Sequence, residues 1–304
     1  MPGEPSGMRE VGAREGYEPD FLGIEVPLPS RVVDDPALIE LPYTHFTVLL
    51  DPVRRLAAAT AVGIDGALLQ DLPRTGITWQ LDPRVPADVQ TGEAVYARND
   101  LDRGHLVRRR DPTWGATRAE AEQANRDTFH YTNAAPQAAR FNQGASLWSG
   151  LEDYLLANAA TYERRLVVLT GPVLAPGDPA YRGVLIPLRF WKVAAFVLAQ
   201  DDGAPGLAAT GYVLDQSPRL PDTPAVAAGE PPPLGPFRTF QVPITDIVAL
   251  TGLDLGPLAR VDGYTPPAPA DRPRVAAPRP TWTPLLSLGQ IVHRSHQLRT
   301  SPPT

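Results

Sequence analysis

Between Arg164 and Asp215 the chain reads RRLVVLTGPVL (164–174), VLIPLRFWKVAAFVLA (184–199) and ATGYVLD (209–215), and these runs decide the fold. Each is rich in β-branched and aromatic residues and is punctuated by Gly or Pro, the composition of strands at the centre of a sheet. Upstream, YTHFTVLLD (43–51) and RRLAAATAVGIDG (54–66) are two more β-rich runs. Asp51-Pro52 separates them as a turn signal, so two successive strands or a hairpin are expected. Downstream, Asp201 to Pro236 is rich in Pro, Gly and Ala; FRTFQVPI (237–244) then resumes a strand, and Thr245 opens a short helix through Leu250.

Helices are expected in two further places. Thr117-Arg118-Ala119-Glu120 has the form of a capping box, and the polar run after it predicts a short helix to about Arg126. From Leu147, the residues Trp148, Leu151, Tyr154, Leu155, Asn158, Ala159 and Tyr162 recur at three- and four-residue spacings, with Glu152, Asp153 and Glu163 off that stripe. This predicts an amphipathic helix whose Trp148, Leu151 and Tyr154 serve packing rather than base stacking. With no internal repeat and no second core, the expectation is one α+β domain over 41–255, built on a central antiparallel or mixed sheet with flanking helices. An N-terminal surface leader (1–40) with FLGIEVPLP as its apolar anchor would precede it, and a Pro-rich C-terminal tail (256–304) would follow.

Composition narrows the chemistry. No cysteine is present, which excludes disulfides, thiolate zinc sites, iron–sulfur clusters and cysteine nucleophiles. No HxxxH-like spacing with a third partner supports a zinc site. The start, MPGEPSGMREVGAREG, places charges and glycines where a secretory signal needs an apolar run, and no membrane-length apolar stretch occurs, so a soluble, cytoplasmic protein is expected. Thirty-six prolines crowd into particular stretches, so the folded unit is expected to be shorter than the chain. The formal net charge of −6 argues against nucleic acid globally, but Arg98, Arg103, Arg108, Arg109 and Arg110 stand against only Asp100 and Asp102, a local balance of +3.

That basic stretch contains Asp102-Arg103-Gly104-His105. It combines a base that titrates near neutrality, a cation able to grip phosphate, and a glycine expected to let the backbone turn tightly. Arg108, Arg109 and Arg110 read either as a solvated face or as phosphate contacts. His45 and His130 lie in β-like or aromatic surroundings and read as hydrogen-bonded packing residues, and Lys192 beside Trp191 reads as structural or as a cation supporting the site from behind.

Taken in order, DRGHL (102–106), TNAAPQ (132–137), FNQG (141–144) and W..LEDY (148–154), with LTGPVL (169–174) and FWKVAAF (190–196), resemble the DNA/RNA non-specific endonuclease family, the group containing endonuclease G. The resemblance covers roughly residues 41 to 255. It implies a central sheet bearing a ββα-metal (His-Me) finger, with His105 as general base and Asn142 as the one protein ligand of Mg²⁺, for which Mn²⁺ is a possible substitute. It further implies that Glu152 holds metal-bound water, that Asn133 orients the site and that Arg103 contacts the phosphate of DNA or RNA, leaving 5′-phosphate ends.

The implied chemistry is coherent. Mg²⁺ takes oxygen ligands and keeps several waters, so one neutral amide oxygen and a substrate phosphate suffice. Contacts confined to the phosphate backbone would let both DNA and RNA be cut. Two departures touch the transfer: QGASLWSGL between Asn142 and Glu152 is longer than in some members, which makes Asp153 the alternative to Glu152. A family arginine one helical turn after the Glu is replaced by Leu155 and Leu156, so Arg108, Arg109 or Arg110 is the candidate substitute. A homodimer and an inhibitor protein are compatible partners. The rival reading is a nucleic-acid-binding, effector or toxin module of the same fold, inactive until joined to a partner.

Overall fold

The computed structural model describes residues 14–33, 36–138, 163–200, 203–218, 230–235, 238–268, 277–287 and 291. In chain order the elements are β1 (Ser30–Arg31), β2 (Ile39–Tyr43), β3 (Phe46–Asp51), β4 (Leu56–Asp65), α1 (Glu93–Tyr96), β5 (Leu101–His105), α2 (Arg118–Asp127), β6 (Ala134–Ala138) and β7 (Arg165–Pro172). They continue with β8 (Ala180–Tyr181), β9 (Val184–Leu185), β10 (Arg189–Ala199), β11 (Pro205–Asp215), β12 (Arg238–Val242), α3 (Ile244–Thr251), β13 (Leu253–Asp254) and β14 (Thr283–Leu285).

Eight of these strands form one sheet in the order β14-β12-β11-β10-β7-β4-β3-β2. Every pairing in it is antiparallel, so of the expected antiparallel or mixed arrangements the former is found. The runs that looked like central strands are central: β10 lies between β7 and β11. Their sequences are almost continuously apolar because both faces are covered. One face carries Phe46, Val48, Val62, Val168, Phe190 and Leu214, packed with Leu106, Val107 and Ala135. The other carries Ala59, Ala61, Val167, Trp191, Val193 and Val213, packed with Phe21, Val26, Ile247 and Trp282.

Local chemistry explains the joints. At the β3–β4 hairpin, Asp51 Oδ1 accepts from the Val53 and Arg54 amides at 2.9 and 2.8 Å, the self-made turn its residue type favours. Thr117 caps α2 by accepting from Glu120 N at 3.2 Å, as the capping box predicts, but Glu120 Oε2 accepts from Ala116 N at 3.0 Å rather than from the cap residue itself. Helix α3 stops at Gly252, whose φ of 67° is the left-handed conformation that glycine adopts without a Cβ penalty.

Ordered core extends on both sides of 41–255. Ile39 and Glu40 already belong to β2, and Tyr17, Phe21 and Val26 are buried. At the far end Trp282 packs on Phe240, with ring centroids 5.4 Å apart, and β14 supplies an edge of the sheet. No helix among the described residues is long and apolar enough to cross a membrane.

The site elements are an excursion from this sheet. Strands β4 and β7 are neighbours, yet the chain between Asp65 and Arg165 leaves and returns at the same end of the pair, where Arg165 Nε bonds Asp65 Oδ2 at 3.0 Å. Within the excursion β5 and β6 form their own antiparallel ribbon, with His105 opposite Ala134 and Arg103 opposite Pro136. The helix expected from Leu147 lies outside the described residues, and so do Asn142, Glu152 and Asp153.

Candidate active site

One face of β5 lies against a wall of aromatic rings. Tyr96, Tyr131, Trp79 and Phe129 form a chain with successive centroid distances of 5.9, 5.8 and 5.3 Å. Because side chains alternate along a strand, Arg103 and His105 share the face that meets this wall. Arg103 sits at the Tyr96 end, its guanidinium 5.3 Å from the ring centroid. His105 sits at the other end, 4.6 Å from Trp79 and edge-on to Phe129 at 5.0 Å.

His105 is half-buried as a residue, but its Nε2 is buried and has no hydrogen-bond partner among the described residues. Burial, then the positive charges of Arg74, Arg109 and Arg108 in that order, push its pKa from the ordinary 6.5 down to about 3. The imidazole is therefore neutral across the physiological range. An unpaired buried ring nitrogen in a cationic surround lies where an anion is attracted, and in the tautomer that leaves it bare it can accept a proton.

Asn133 fixes the backbone that leaves His105. It is fully buried. Its Oδ1 accepts from Val107 N at 2.9 Å, and its Nδ2 donates to Val107 O at 2.9 Å and to Thr128 O at 3.0 Å. Its own carbonyl accepts from Leu106 N at 2.9 Å. Through these bonds the segment after β5 is clamped to the start of β6 and the end of α2. Asn133 acts on the site as a clamp.

Gly104 does not make the tight turn expected of it. It is an extended residue in mid-strand opposite Ala135, and a Cβ there would fall 2.1 to 2.5 Å from the side chain of Gln137. The glycine makes room for a crossing side chain.

Arg103 donates from Nη2 to Glu93 Oε2, and the Tyr131 hydroxyl donates to that same oxygen at 2.6 Å. These two hydrogen bonds, Tyr131's first, hold the Glu93 carboxyl below its ordinary range. Arg109 donates to the Leu72 carbonyl at 2.7 Å, while exposed Arg110 lies 3.6 Å from Asp71. Of the three consecutive arginines, Arg108 and Arg109 bear on His105 and Arg110 turns to the surface.

His45 and His130 stand away from this cluster. His45 bonds the Pro112 carbonyl at 2.9 Å and Glu120 at 3.0 Å and stacks on Trp114 at 3.5 Å. His130 is buried between the Asp127 carbonyl and Gln80. Lys192 is buried in β10 and donates to Thr170 Oγ1 at 3.0 Å. Among the described residues no group of three or more His, Cys, Asp or Glu side chains converges as a metal cage.

Sequence reasoning missed Arg74, Trp79, Glu93 and Tyr131. Arg74 lies within the field of His105 and 5.8 Å from the Phe129 ring. Nothing in the irregular chain from 70 to 92 signals the roles of Arg74 and Trp79. Only a glutamate in the first turn of the short TGEAVY (91–96) pattern is a local cue.

Comparison with known proteins bears on the whole arrangement. The sequence profile described as DNA/RNA non-specific endonuclease matches residues 35–261. The chain is 41% identical over 280 residues to protein y4fB of Sinorhizobium fredii (strain NBRC 101917 / NGR234), covering 84% of this chain and 41% of that protein. It is 29% identical over 192 residues to mitochondrial endonuclease G of Bos taurus, covering 59% of this chain and 56% of that one. The chain thus spans about half the length of the curated relatives it matches. Among solved structures, the complex of EndoG with EndoGI, described as showing the mechanism of EndoG inhibition, aligns with a TM-score of 0.51 at 20% identity. That alignment covers 71% of this chain and 84% of that one, a likeness of fold.

Proposed function

This chain belongs to the DNA/RNA non-specific endonuclease family, and we propose that it hydrolyses phosphodiester bonds of both DNA and RNA with His105 as the general base. The observation that carries the reading is the buried, unpartnered Nε2 of His105 within the field of Arg74, Arg108 and Arg109. Nε2 accepts a proton from the attacking water. The arginines hold the phosphate and offset the charge that builds on its oxygens as the bond breaks.

The field around His105 changes when substrate arrives. A free imidazole with a pKa of about 3 is a weak base, because burial first and then three cations oppose its protonation. A phosphate anion among those cations offsets their field and raises the basicity of Nε2 as the water is positioned. The base is thus strengthened by the phosphate that its water attacks.

The family reading includes a divalent cation. By the resemblance its oxygen donors are Asn142 and Glu152, with Asp153 the alternative to Glu152, and all three lie outside the described residues. A neutral amide and one carboxylate suit Mg²⁺ or Mn²⁺, which keep most of their water. When bound, the ion supplies Lewis-acid stabilisation of the departing 3′ oxygen. On the family resemblance β5 and β6 would be the two strands of a ββα-metal finger.

The test is cleavage of supercoiled plasmid and structured RNA by the purified chain, with Mg²⁺ and with EDTA, beside His105→Ala. Metal-dependent cutting of both, lost in the variant, supports the proposal. Binding without cutting under every divalent cation tried would replace it with a module that needs a partner.

A further inference from the structure

Arg103 is the end of a chain of contacts that begins far from the ribbon. The β8–β9 hairpin turns through Arg182 and Gly183, both at positive φ (47° and 77°), the pattern of a two-residue hairpin loop. From that turn Arg182 Nη1 donates to the carbonyls of Ala94 and Ala97 at 2.8 and 2.7 Å, bracing one-turn α1. Thr91 N, just before α1, bonds the Arg55 carbonyl at 2.9 Å. A four-residue helix has little stability of its own, so its place depends on these braces. Glu93 opens that helix and takes both Arg103 and the Tyr131 hydroxyl on one carboxylate oxygen.

We propose that Glu93, steadied by Tyr131 and by braced α1, is the positioning residue that holds the Arg103 guanidinium in the orientation in which it meets a phosphate of the nucleic-acid backbone. The proposal rests on the reading above that Arg103 contacts phosphate. Tyr96 lies under the guanidinium face, Glu93 takes Nη2, and Nε is buried without a hydrogen-bond acceptor among the described residues. A buried N–H donor without a partner is an unfavourable arrangement in the free protein and is relieved when an anionic oxygen reaches it. A long, rotamer-rich side chain pinned at one nitrogen and stacked on a ring has already lost most of its freedom, so less is lost on meeting substrate.

The alternative, that Glu93 is simply a negative charge at the rim, predicts the opposite behaviour. Removing a rim charge would tighten nucleic-acid binding whether or not Arg103 is present. Removing a positioning contact acts only through Arg103.

The experiment is a double-mutant cycle on the full chain with Glu93→Gln, Arg103→Ala and both together, and with Tyr131→Phe as a second route to the same contact. Steady-state cleavage with Mg²⁺ is read alongside anisotropy of a labelled oligonucleotide in EDTA. Glu93→Gln is expected to lower kcat/KM about tenfold and to weaken oligonucleotide binding in EDTA about threefold, the loss expected when a pre-oriented contact must be ordered on binding. Tyr131→Phe is expected to act in the same direction. In the Arg103→Ala background Glu93→Gln is expected to be silent in both assays. Equal effects of Glu93→Gln with and without Arg103 would overturn the proposal, as would tighter binding in both backgrounds. If the parent chain does not cleave, the binding arm still decides on Glu93: coupling there leaves the positioning role standing while the nuclease reading falls.

Discussion

Replacing Asn133 by alanine should unfasten the loop behind His105. The amide makes three bonds of 2.9, 2.9 and 3.0 Å to Val107 N, Val107 O and Thr128 O. Its removal strands these buried backbone groups where water does not replace the lost partner. At about 1 to 3 kcal/mol for each unsatisfied group the cost is about 4 kcal/mol, a large part of the roughly 5 to 15 kcal/mol that holds most domains folded. With a urea dependence of about 2.5 kcal/mol per molar, the unfolding midpoint should fall by roughly 1.5 M at unchanged slope. Tryptophan fluorescence and far-UV circular dichroism report the transition. Asn133→Asp should be comparably damaging, because a carboxylate accepts but cannot make the two Nδ2 donations. A loss of stability under about 1 kcal/mol would refute the clamp. Parent-like stability with cleavage abolished would show that the amide touches substrate instead.

Two further outcomes follow from the geometry. Gly104→Ala is expected to cost about 1 kcal/mol, or a few degrees in Tm, by pushing on the Gln137 side chain. The cost should vanish in a Gln137→Ala background, and its persistence would mean that the strand needs the glycine's backbone rather than its space. Cleavage should show no acid limb near pH 6.5 in kcat/KM, because free His105 stays neutral until the pH falls towards 3. The limb in kcat should lie at higher pH, since bound phosphate raises the base. The stability sign is fixed by the same shift: the folded value lies below the unfolded 6.5, so the unfolded chain takes up the proton first and His105 weakens the fold as pH drops through that window. A kcat/KM limb at pH 6.5, matched by titration of the His105 ring near that pH in NMR spectra of the free chain, would contradict the depressed value.

Elements long enough to carry a pattern were legible. The runs at 164–174 and 184–199 became β7 and β10 because β-branched and aromatic residues suit a sheet buried on both faces. Strand β14 was hidden: three residues in a Pro-rich tail carry no period, and their place depends on Trp282 reaching Phe240. Of the site, the tetrapeptide at 102–105 was visible because its chemistry is local. The aromatic wall and the Glu93 contact were not, since Glu93 and Tyr131 lie 38 residues apart and meet only when β5 and β6 pair. Gly104 shows the limit of reading a residue type alone. Glycine signals either a special φ or a close approach, and here the approach, by Gln137, is the reason.

The charge distribution sets how such a site would engage a polyanion. A net charge of −6 opposes approach at long range, but at about 0.15 M salt charges are screened beyond roughly 8 Å. On the proposed reading much of the acidic charge would contribute little where Arg74, Arg103, Arg108 and Arg109 act at contact, and the local field would win. At about 0.9 per neutralised phosphate, these four cations limit the salt slope of binding to no steeper than about −4. A measured slope well beyond that would place further cations on the path of the nucleic acid.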